Sequence, residues 1–241
     1  MTDFFTMQPG ETAAPVPEGP LLCGGTDSMR KVHRVFLWGY DEIPGLIRSA
    51  DDGDTKRSEI LGEALRNFDK LLHTHHDGED EFMYPKLAAR APACAVHVEE
   101  MLRHHAAIGR RLDELEPFRE EWIASASAAL GERLAAMYEA LNVELKIHLR
   151  REVTEVMPVV DRVLTEKEVM AMAKHGTDSF SAKVMVAYLG MILATNPPEE
   201  RAEFFTHVPP PVRLAYRLVG RRLYRKQYAQ LFPGREIPET L

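Results

Sequence analysis

The strongest constraint on the fold is a pattern that occurs twice in the chain, 73 residues apart. In each copy a histidine is followed by a glutamate four residues later and by a proline ten residues later. The two copies are His75, Glu79 and Pro85, and His148, Glu152 and Pro158. Residues four apart lie on the same side of an α-helix, one turn apart. The pattern therefore predicts two related helices, each presenting an imidazole and a carboxylate in one direction.

Each copy continues an apolar stripe whose steps alternate between four and three residues, which keeps the stripe on one helix face. The stripes are Leu61, Leu65, Phe68 and Leu72, and Leu134, Tyr138, Leu141 and Leu145. Both motifs are therefore expected to lie in the interior. A buried carboxylate without a partner is strongly unfavourable or takes up a proton. A cation shared between the two motifs would compensate for this burial.

The rest of the chain also predicts helices, since no segment shows the sustained alternation of a β-strand. Four long helices are expected: from Thr26 or Asp27, either of which can cap the helix, to Ala50, from Thr55 to Arg90, from Pro92 to at least Leu115, and from Ser127 to Leu164. The internal prolines of the second and fourth helices should kink or interrupt them. Thr165 and Glu168 form a capping box that opens a further helical region. The predicted fold class is all-α.

Composition narrows the chemistry and the partners. The chain has ten histidines but two cysteines, so Cys-based zinc modules and disulfide scaffolds are excluded. Cys23 and Cys94 are interpreted as the reduced thiols of a cytoplasmic protein. A net charge of −7 argues against a general nucleic-acid binder. No transmembrane segment is expected, because the most apolar stretch, 184–195, has twelve uncharged residues and a membrane span needs roughly 20.

The first and third helices add two histidines on apolar stripes. His33 precedes His75 by 42 residues and His105 precedes His148 by 43. Four imidazoles and two carboxylates thus converge from four helices. This mixed set suits iron, and less specifically manganese or zinc. It exceeds the four ligands of a tetrahedral zinc site, and predicts a dinuclear centre in which Glu79 and Glu152 bridge and coordination positions stay open.

With these residues in place, the sequence resembles the hemerythrin-like (HHE cation-binding) proteins over about residues 27–162. The resemblance implies an up-down-up-down four-helix bundle. It also implies a cofactor of two non-haem iron ions, joined by an oxo or hydroxo bridge, that handles oxygen or its reduced products. The resulting domain prediction is a flexible Pro/Gly-rich tail at 1–25, the di-iron bundle at 26–162 and a helical extension at 163–241.

Two departures from oxygen-carrying hemerythrins affect the expected function. Those proteins have a His-x3-His pair on the third helix, where this chain has Met101 before His105, and a His-x4-Asp motif on the fourth, where it has His148-x3-Glu152. A missing fifth histidine argues against reversible oxygen carriage. The expected function is reaction with, or binding of, O₂, peroxide or nitric oxide, in oxidative or nitrosative stress or iron handling.

Two alternatives remain at this stage. The chain is interpreted either as that redox protein or as a metal- or redox-responsive sensor that signals through its C-terminal extension. Iron storage is less favoured, because ferritin-like iron oxidases carry Glu-x2-His in place of His-x3-Glu.

Several further residues are candidates for the metal centre or its surroundings. His104 could replace or join His105. His76 is expected to face solvent or the rim of the site. His97, two turns from His105, could lie beside the metal ligands, but a partly exposed position is favoured, and Glu144 is expected to be a solvated charge. Tyr40 and Tyr138 lie on inward stripes, where packing is favoured over a role as ligand or hydrogen-bond donor. The full set of secondary candidates is His104, His97, His76, Glu144, Tyr40, Tyr138 and Met101.

A basic segment runs from Arg213 to Lys226 in the extension. It holds six basic residues, no acidic residue and interleaved apolar residues. Such a helix can contact an anionic membrane surface or a protein partner. The favoured interpretation is a helix that packs on the acidic bundle and neutralises part of its charge.

Overall fold

The computed structural model describes residues 4–240, and within this range the chain forms helices and no β-strand. The bundle is built from six helices: α1 (Gly25–Arg48), α2 (Thr55–Gly78), α3 (Tyr84–Arg90), α4 (Ala95–Ser125), α5 (Ala128–Arg151) and α6 (Met157–Val163). Five helices follow: α7 (Glu166–Asp178), α8 (Ala182–Thr195), α9 (Pro198–His207), α10 (Pro210–Ala215) and α11 (Arg221–Leu231).

Two π-helical turns lie directly before the two motif prolines. Glu79–Met83 joins α2 to α3, and Glu152–Val156 joins α5 to α6. Proline has no amide hydrogen and its ring collides with the carbonyl four residues earlier, so an α-helical turn cannot pass it undisturbed. The wider π turn accommodates the proline, and the interruptions predicted from sequence take this form.

The long helices pack as a four-helix bundle. α1 lies against α5 and α2, and α4 lies between α2 and α5. Helices that follow each other in the chain are therefore neighbours, as an up-down-up-down bundle requires. The two apolar stripes line the interior, where Leu61, Leu72, Leu134 and Leu145 are completely buried. The all-α prediction is confirmed.

The start of the first helix differs from the prediction, whereas the third predicted helix, expected to reach at least Leu115, extends to Ser125. α1 begins at Gly25, and neither Thr26 nor Asp27 caps it. The backbone amide and hydroxyl of Thr26 donate hydrogen bonds to Asp161 in α6, at 3.1 and 2.6 Å. α4 continues through Pro117 to Ser125. The hydrogen bond lost at this proline belongs to the carbonyl of Asp113, an exposed residue, so water can satisfy it.

The N-terminal segment at residues 4–24 has no helix and lies along the end of the bundle. The amide of Ala14 donates to the carbonyl of Glu155 at 3.0 Å, and the amide of Leu22 to the carbonyl of Asp161 at 2.7 Å. The Phe5 side chain is buried in an apolar cluster with residues of α3, α4 and α6. Its ring centroid lies 6.3 Å from that of His33, so the segment covers one end of the interior.

The extension forms a further wall of the bundle. α8 lies against α1 and α11, and α7 lies against α2 and the first π turn. Tyr188, Tyr224 and Tyr228 belong to the same apolar cluster as the bundle interior. The Tyr228 ring stacks on Trp38 of α1, with the centroids 6.4 Å apart. The apolar core is thus continuous between the bundle and the extension.

The most apolar helix of the extension, α8, is 14 residues long and buries Tyr188, Met191 and Leu193 against its neighbours. In residues 4–240, the part of the chain that the structure describes, no helix combines the length and the hydropathy needed to cross a membrane.

Candidate metal centre

Two overlapping groups of histidine and glutamate side chains lie inside the bundle. The first group is His76, Glu79, His105 and His148, and the second is His33, His75, Glu79 and Glu152. Within each group the ligand atoms lie within 4.8 Å of one another. Glu79 belongs to both groups. The arrangement therefore offers two adjacent metal positions with one carboxylate between them.

The two groups are not equivalent, although the motifs that build them are related. The first offers three imidazoles and one carboxylate, and the second offers two of each. The difference comes from His76, because the corresponding position in the second motif is Leu149, a buried aliphatic residue. The sequence repeat thus produces an asymmetric site.

Each motif glutamate is the first residue of a π turn. His75 Nε2 lies 3.1 Å from Glu79 Oε1, and His148 Nε2 lies 3.8 Å from Glu152 Oε2. Both glutamates are fully buried. Single π turns inside α-helices often occur at functional sites. Here the last α-helical turn keeps the His and Glu side chains on one face, and the π turn follows directly.

Two imidazoles are oriented through their Nδ1 atoms. His33 Nδ1 donates to the carbonyl of Leu149 at 3.1 Å, which leaves Nε2 as the atom with the lone pair. His105 Nδ1 donates to Asp80 Oδ1 at 2.7 Å. His33 Nε2 then lies 3.3 Å from Glu152 Oε2, and His105 Nε2 lies 3.5 Å from Glu79 Oε2. A ring N–H donated to a carbonyl or carboxylate is the usual way a protein orients a metal-binding histidine.

Tyr84 fixes one oxygen of the second glutamate. Its hydroxyl donates to Glu152 Oε1 at 2.5 Å, and both side chains are buried. Burial and the nearby charge of Glu152 raise the pKa of Tyr84 well above its usual value. The phenol therefore stays protonated and keeps its hydrogen bond, and Oε2 of Glu152 is the oxygen left for another partner.

The donor atoms of this centre fit a metal because the described residues leave them without partners. Seven buried side-chain atoms form no hydrogen bond: both oxygens of Glu79, both ring nitrogens of His148, and one atom each of His76, His105 and Glu152. Native proteins rarely leave buried polar groups unsatisfied. So many in one place indicate that a bound cation normally completes the site.

Burial also keeps the imidazoles neutral. It lowers the pKa of His75 to about 3, with the charge of His33 as a second cause. Burial lowers the pKa of His76 and of His148 well below the usual value. It also raises the pKa of Glu79 well above its usual value, with the charge of Glu152 acting in the same direction. The site thus presents neutral imidazole lone pairs, the form that binds metals.

The structure brings all six residues predicted as ligands into these two groups: His33, His75, Glu79, His105, His148 and Glu152. It corrects the expectation for His76. This residue is 5% exposed, and its ring stacks on that of His105 with the centroids 4.0 Å apart. Because the centre is wide enough for two metal positions, His75 and His76 both reach it from adjacent positions on α2.

The other secondary candidates lie outside both groups. His104 is half-buried, with its ring centroid 5.8 Å from that of His148. His97 Nδ1 lies 3.3 Å from a carboxylate oxygen of Glu155. Met101 is buried in an apolar cluster. Glu144 pairs with Arg111 at the surface, at 2.9 Å, in agreement with a solvated charge.

Tyr40 and Tyr138 belong to a separate buried polar cluster. Their hydroxyls donate to the two oxygens of Asp69, at 3.0 and 2.6 Å, and Arg119 forms an ion pair with the same carboxylate. The cluster was not predicted from the sequence. Asp69 and His76 are seven residues apart, and residues at this spacing share one helix face. This spacing is the sequence signal that could have indicated both residues.

Comparison with known proteins agrees with the site. The family model described as Hemerythrin HHE cation binding domain matches residues 24–160, which is more than half of the chain. The chain therefore belongs to the hemerythrin family. A search of curated proteins and a search of solved structures found no match.

Proposed function

We propose that this hemerythrin-family protein holds two non-haem iron ions inside the bundle and that it binds or reacts with a small oxidant: O₂, peroxide or nitric oxide. One observation carries the proposal. Glu79 is fully buried, is shared by both ligand groups, and has two carboxylate oxygens that accept no hydrogen bond from the described residues. A carboxylate in this position is stable when each oxygen has its own cation.

The two groups suggest how the ligands divide. His76, His105 and His148 would hold one ion, and His33, His75 and Glu152 the other. Glu79 would bridge the two ions. Glu152 was also expected to bridge, but Tyr84 occupies its Oε1 and only the second group includes it. Glu152 is therefore assigned to the second ion.

The ligand chemistry supports iron. Imidazole and carboxylate donors without thiolate suit iron, and five imidazoles with two carboxylates exceed what one tetrahedral zinc takes. His76 also supplies the fifth imidazole that the third helix lacks. With His76 as a ligand, the absence of a second histidine on that helix does not argue against reversible oxygen carriage.

Iron bound here would supply exchangeable electrons and open coordination positions for the small molecule. The chain's own residues keep the site dry and oriented. Phe36 packs on the His75 ring, with the centroids 5.1 Å apart, and Phe5 covers the His33 side. Tyr84 holds Glu152, and Asp80 holds His105 through Nδ1.

Anaerobic reconstitution with Fe(II) tests the proposal. We expect about two irons per chain, and new visible absorption when O₂, peroxide or nitric oxide is added. Glu79→Gln should lower the iron content, and Glu144→Gln, a surface carboxylate on α5, should leave it unchanged. Uptake of zinc without iron, or equal iron content in both variants, would overturn the proposal.

His76 has a separate test with a neighbour as control. His76→Ala should weaken iron binding at the first group and change the spectrum. His73→Ala, at a half-buried histidine on the same helix outside both groups, should leave both unchanged. Equal behaviour of the two variants would remove His76 from the ligand set.

A sensor function is the second candidate, because the extension directly contacts the metal-binding turn. Gly78, immediately before the first π turn, lies against Met172 of α7. The ring of Phe82, within that turn, lies 5.2 Å from that of His175 on α7. Metal binding can therefore act on α7. Residues 165–241 should be more protected from proteases in iron-loaded protein than in apoprotein, and equal protection would count against signalling through the extension.

A further inference from the structure

The basic segment of the extension, Arg213–Lys226, has a surface that the metal centre does not explain. It continues from α10 through a π turn at Tyr216–Gly220 into α11. Its inner side is anchored, since Tyr216 and Tyr224 are almost completely buried. The segment therefore has a fixed orientation, with one side on the protein and the other towards solvent.

The cationic side chains of this segment do not neutralise the bundle as the sequence suggested. Glu200 and Glu203 of neighbouring α9 are already paired, with Arg34 and Lys31 of α1. Arg217 lies over the ring of Phe205, 5.4 Å from its centroid. Across residues 4–240, none of the six basic residues forms an ion pair. The exposed members are Arg217, Arg221, Arg222, Arg225 and Lys226.

Exposed aliphatic side chains lie beside these cations. Leu218 is 71% exposed, the largest value among the exposed large hydrophobic residues of the described chain, and Leu214 is 59% exposed. Val212 and Val219 are also exposed, so four such residues fall within eight positions. Tyr216, Gly220 and Tyr224 are buried at every fourth position through the π turn, and Leu214, Leu218 and Arg222, two residues before each of them, are exposed on the other side. This combination of exposed aliphatic and unpaired basic residues is unusual for a surface in contact with water only.

We propose that this surface docks on a membrane that contains anionic phospholipids. Leu214, Leu218 and Val219 would enter the boundary between headgroups and acyl chains, and the arginines would bind lipid phosphates. Soluble phosphate would leave the aliphatic residues uncovered. The basic residues from Arg213 to Lys226 are spread over about 20 Å of helix. Their side chains project outward from the helix, and this arrangement suits a flat, deformable surface. This inference is independent of the proposed iron chemistry.

Charge complementarity selects an anionic membrane over a neutral one. The chain as a whole has a net charge of −7, whereas this segment has six basic residues and no acid. An anionic surface therefore attracts this side of the molecule and repels the rest, which orients the protein. The attraction falls with ionic strength, because exposed charges are screened by salt.

Sedimentation with vesicles tests the proposal on the full chain. We expect binding to phosphatidylcholine vesicles that contain phosphatidylglycerol, no binding to phosphatidylcholine alone, and release at high salt. The triple variant R221Q/R222Q/R225Q should weaken partitioning on the order of 100-fold, from about fivefold per cation. L214S/L218S should weaken it about tenfold or more, because both side chains lose apolar burial.

Matched variants control for charge and for exposed apolar surface elsewhere. K56Q/R110Q/K167Q removes three exposed cations outside the segment, and V96S/V143S removes two exposed valines, 68% and 62% exposed. Both controls should bind anionic vesicles like the unaltered chain. Helical circular dichroism and the midpoint of thermal unfolding should be the same in all variants, which shows that they fold.

Several results would overturn the proposal. These are no binding to anionic vesicles, equal binding to neutral vesicles, or equal losses in the segment variants and the controls. Binding of polyglutamate without binding of vesicles would identify an acidic protein as the occupant. A dimer in analytical ultracentrifugation that L214S/L218S dissociates would identify a second copy of the chain.

Discussion

Two of the buried carboxylates of the bundle lie ten residues apart in the sequence and have different surroundings. Asp69 of α2 is 4% exposed and Glu79 of the following π turn is 0% exposed. Asp69 accepts hydrogen bonds from Tyr40 and Tyr138 and forms an ion pair with Arg119. Glu79 accepts no hydrogen bond from the described residues. Two carboxylates of similar burial thus differ in whether the protein itself supplies their partners.

This difference separates a structural cluster from a binding site. Asp69 has a guanidinium and two phenols in place, so its burial is compensated without a ligand. Glu79 lies among imidazoles, and ring nitrogens of His76, His105 and His148 also lack hydrogen-bond partners, so its burial calls for an added cation. A buried carboxylate by itself therefore says little about function, and its partners distinguish the two cases.

Metal loading should produce the largest change in stability and should act through the Glu79 centre alone. An ion that binds only the folded state stabilises it by about 4 kcal/mol at a thousandfold excess over its Kd, and two ions would add further. Thermal unfolding of apoprotein and Fe(II)-loaded protein under anaerobic conditions measures the effect. An unchanged Tm would contradict the conclusion that the burial of Glu79 calls for a bound cation.

Loss of the counterion of Asp69 should come next in size. Arg119→Met leaves a buried carboxylate without its cation and should cost about 3–5 kcal/mol in apoprotein. Arg111→Met is the matched control, since Arg111 of the same helix pairs with Glu144 at the surface and such pairs contribute about 0–1 kcal/mol. Urea unfolding of both variants measures the loss. A similar, small effect for both would mean that the Asp69 cluster tolerates an unpaired charge.

Acidification should destabilise the apoprotein through the imidazoles of the metal centre. The pKa of His75 falls from 6.5 to about 3 on folding, so between these values the unfolded chain binds more protons than the folded one. Stability therefore falls as the pH decreases through this window, by about 2 kcal/mol for His75 alone near pH 5. Unfolding of metal-free protein across the window measures it.

The variant His75→Gln isolates the contribution of that residue. It should reduce the dependence of stability on pH, whereas His73→Gln, outside both ligand groups, should retain it. Stability that does not change between about pH 6.5 and 5 in the unaltered apoprotein would contradict the prediction.

The smallest change in apoprotein stability is expected for Glu79→Gln. Burial raises the pKa of Glu79, so a neutral amide of the same shape should change the stability by less than about 1 kcal/mol. Asp69→Asn is the sharpest comparison, because it weakens the hydrogen bonds from Tyr40 and Tyr138 and removes the buried carboxylate that pairs with Arg119, so it should cost several times more. Calorimetry measures the loss of unfolding free energy in the two apoprotein variants. A larger loss for Glu79→Gln than for Asp69→Asn would mean that the Glu79 centre is itself a structural cluster.

Much of this molecule could be predicted from local sequence. The spacing of His75, Glu79 and Pro85 predicted a helix with an inward polar end and an interruption, and the structure has both. The apolar stripe that ends at Leu72 predicted a buried helix face, because a regular helix repeats its faces every three to four residues. The matched second motif extended the same reasoning to α5.

Other features depend on contacts between distant residues. His76 was expected to face solvent or the rim of the site, because Asp80 stands four residues later as a possible ion-pair partner. It lies in the interior because the site extends over two metal positions. The side chains of His75 and His76 point in different directions from α2, and each reaches one of these positions. Asp69 was overlooked because its partner Arg119 is 50 residues away, on a helix whose rotation no local pattern specifies.

The sequence by itself determined the helices, the two motifs and the set of side chains that converge on the interior, because helical periodicity fixes where a side chain points from its own axis. Only the tertiary structure decided that Glu79 is shared, that Glu152 is held by Tyr84, and that His76 joins the site while Asp69 is neutralised by Arg119. These depend on the rotation and separation of neighbouring helices, which come from the packing of the whole bundle.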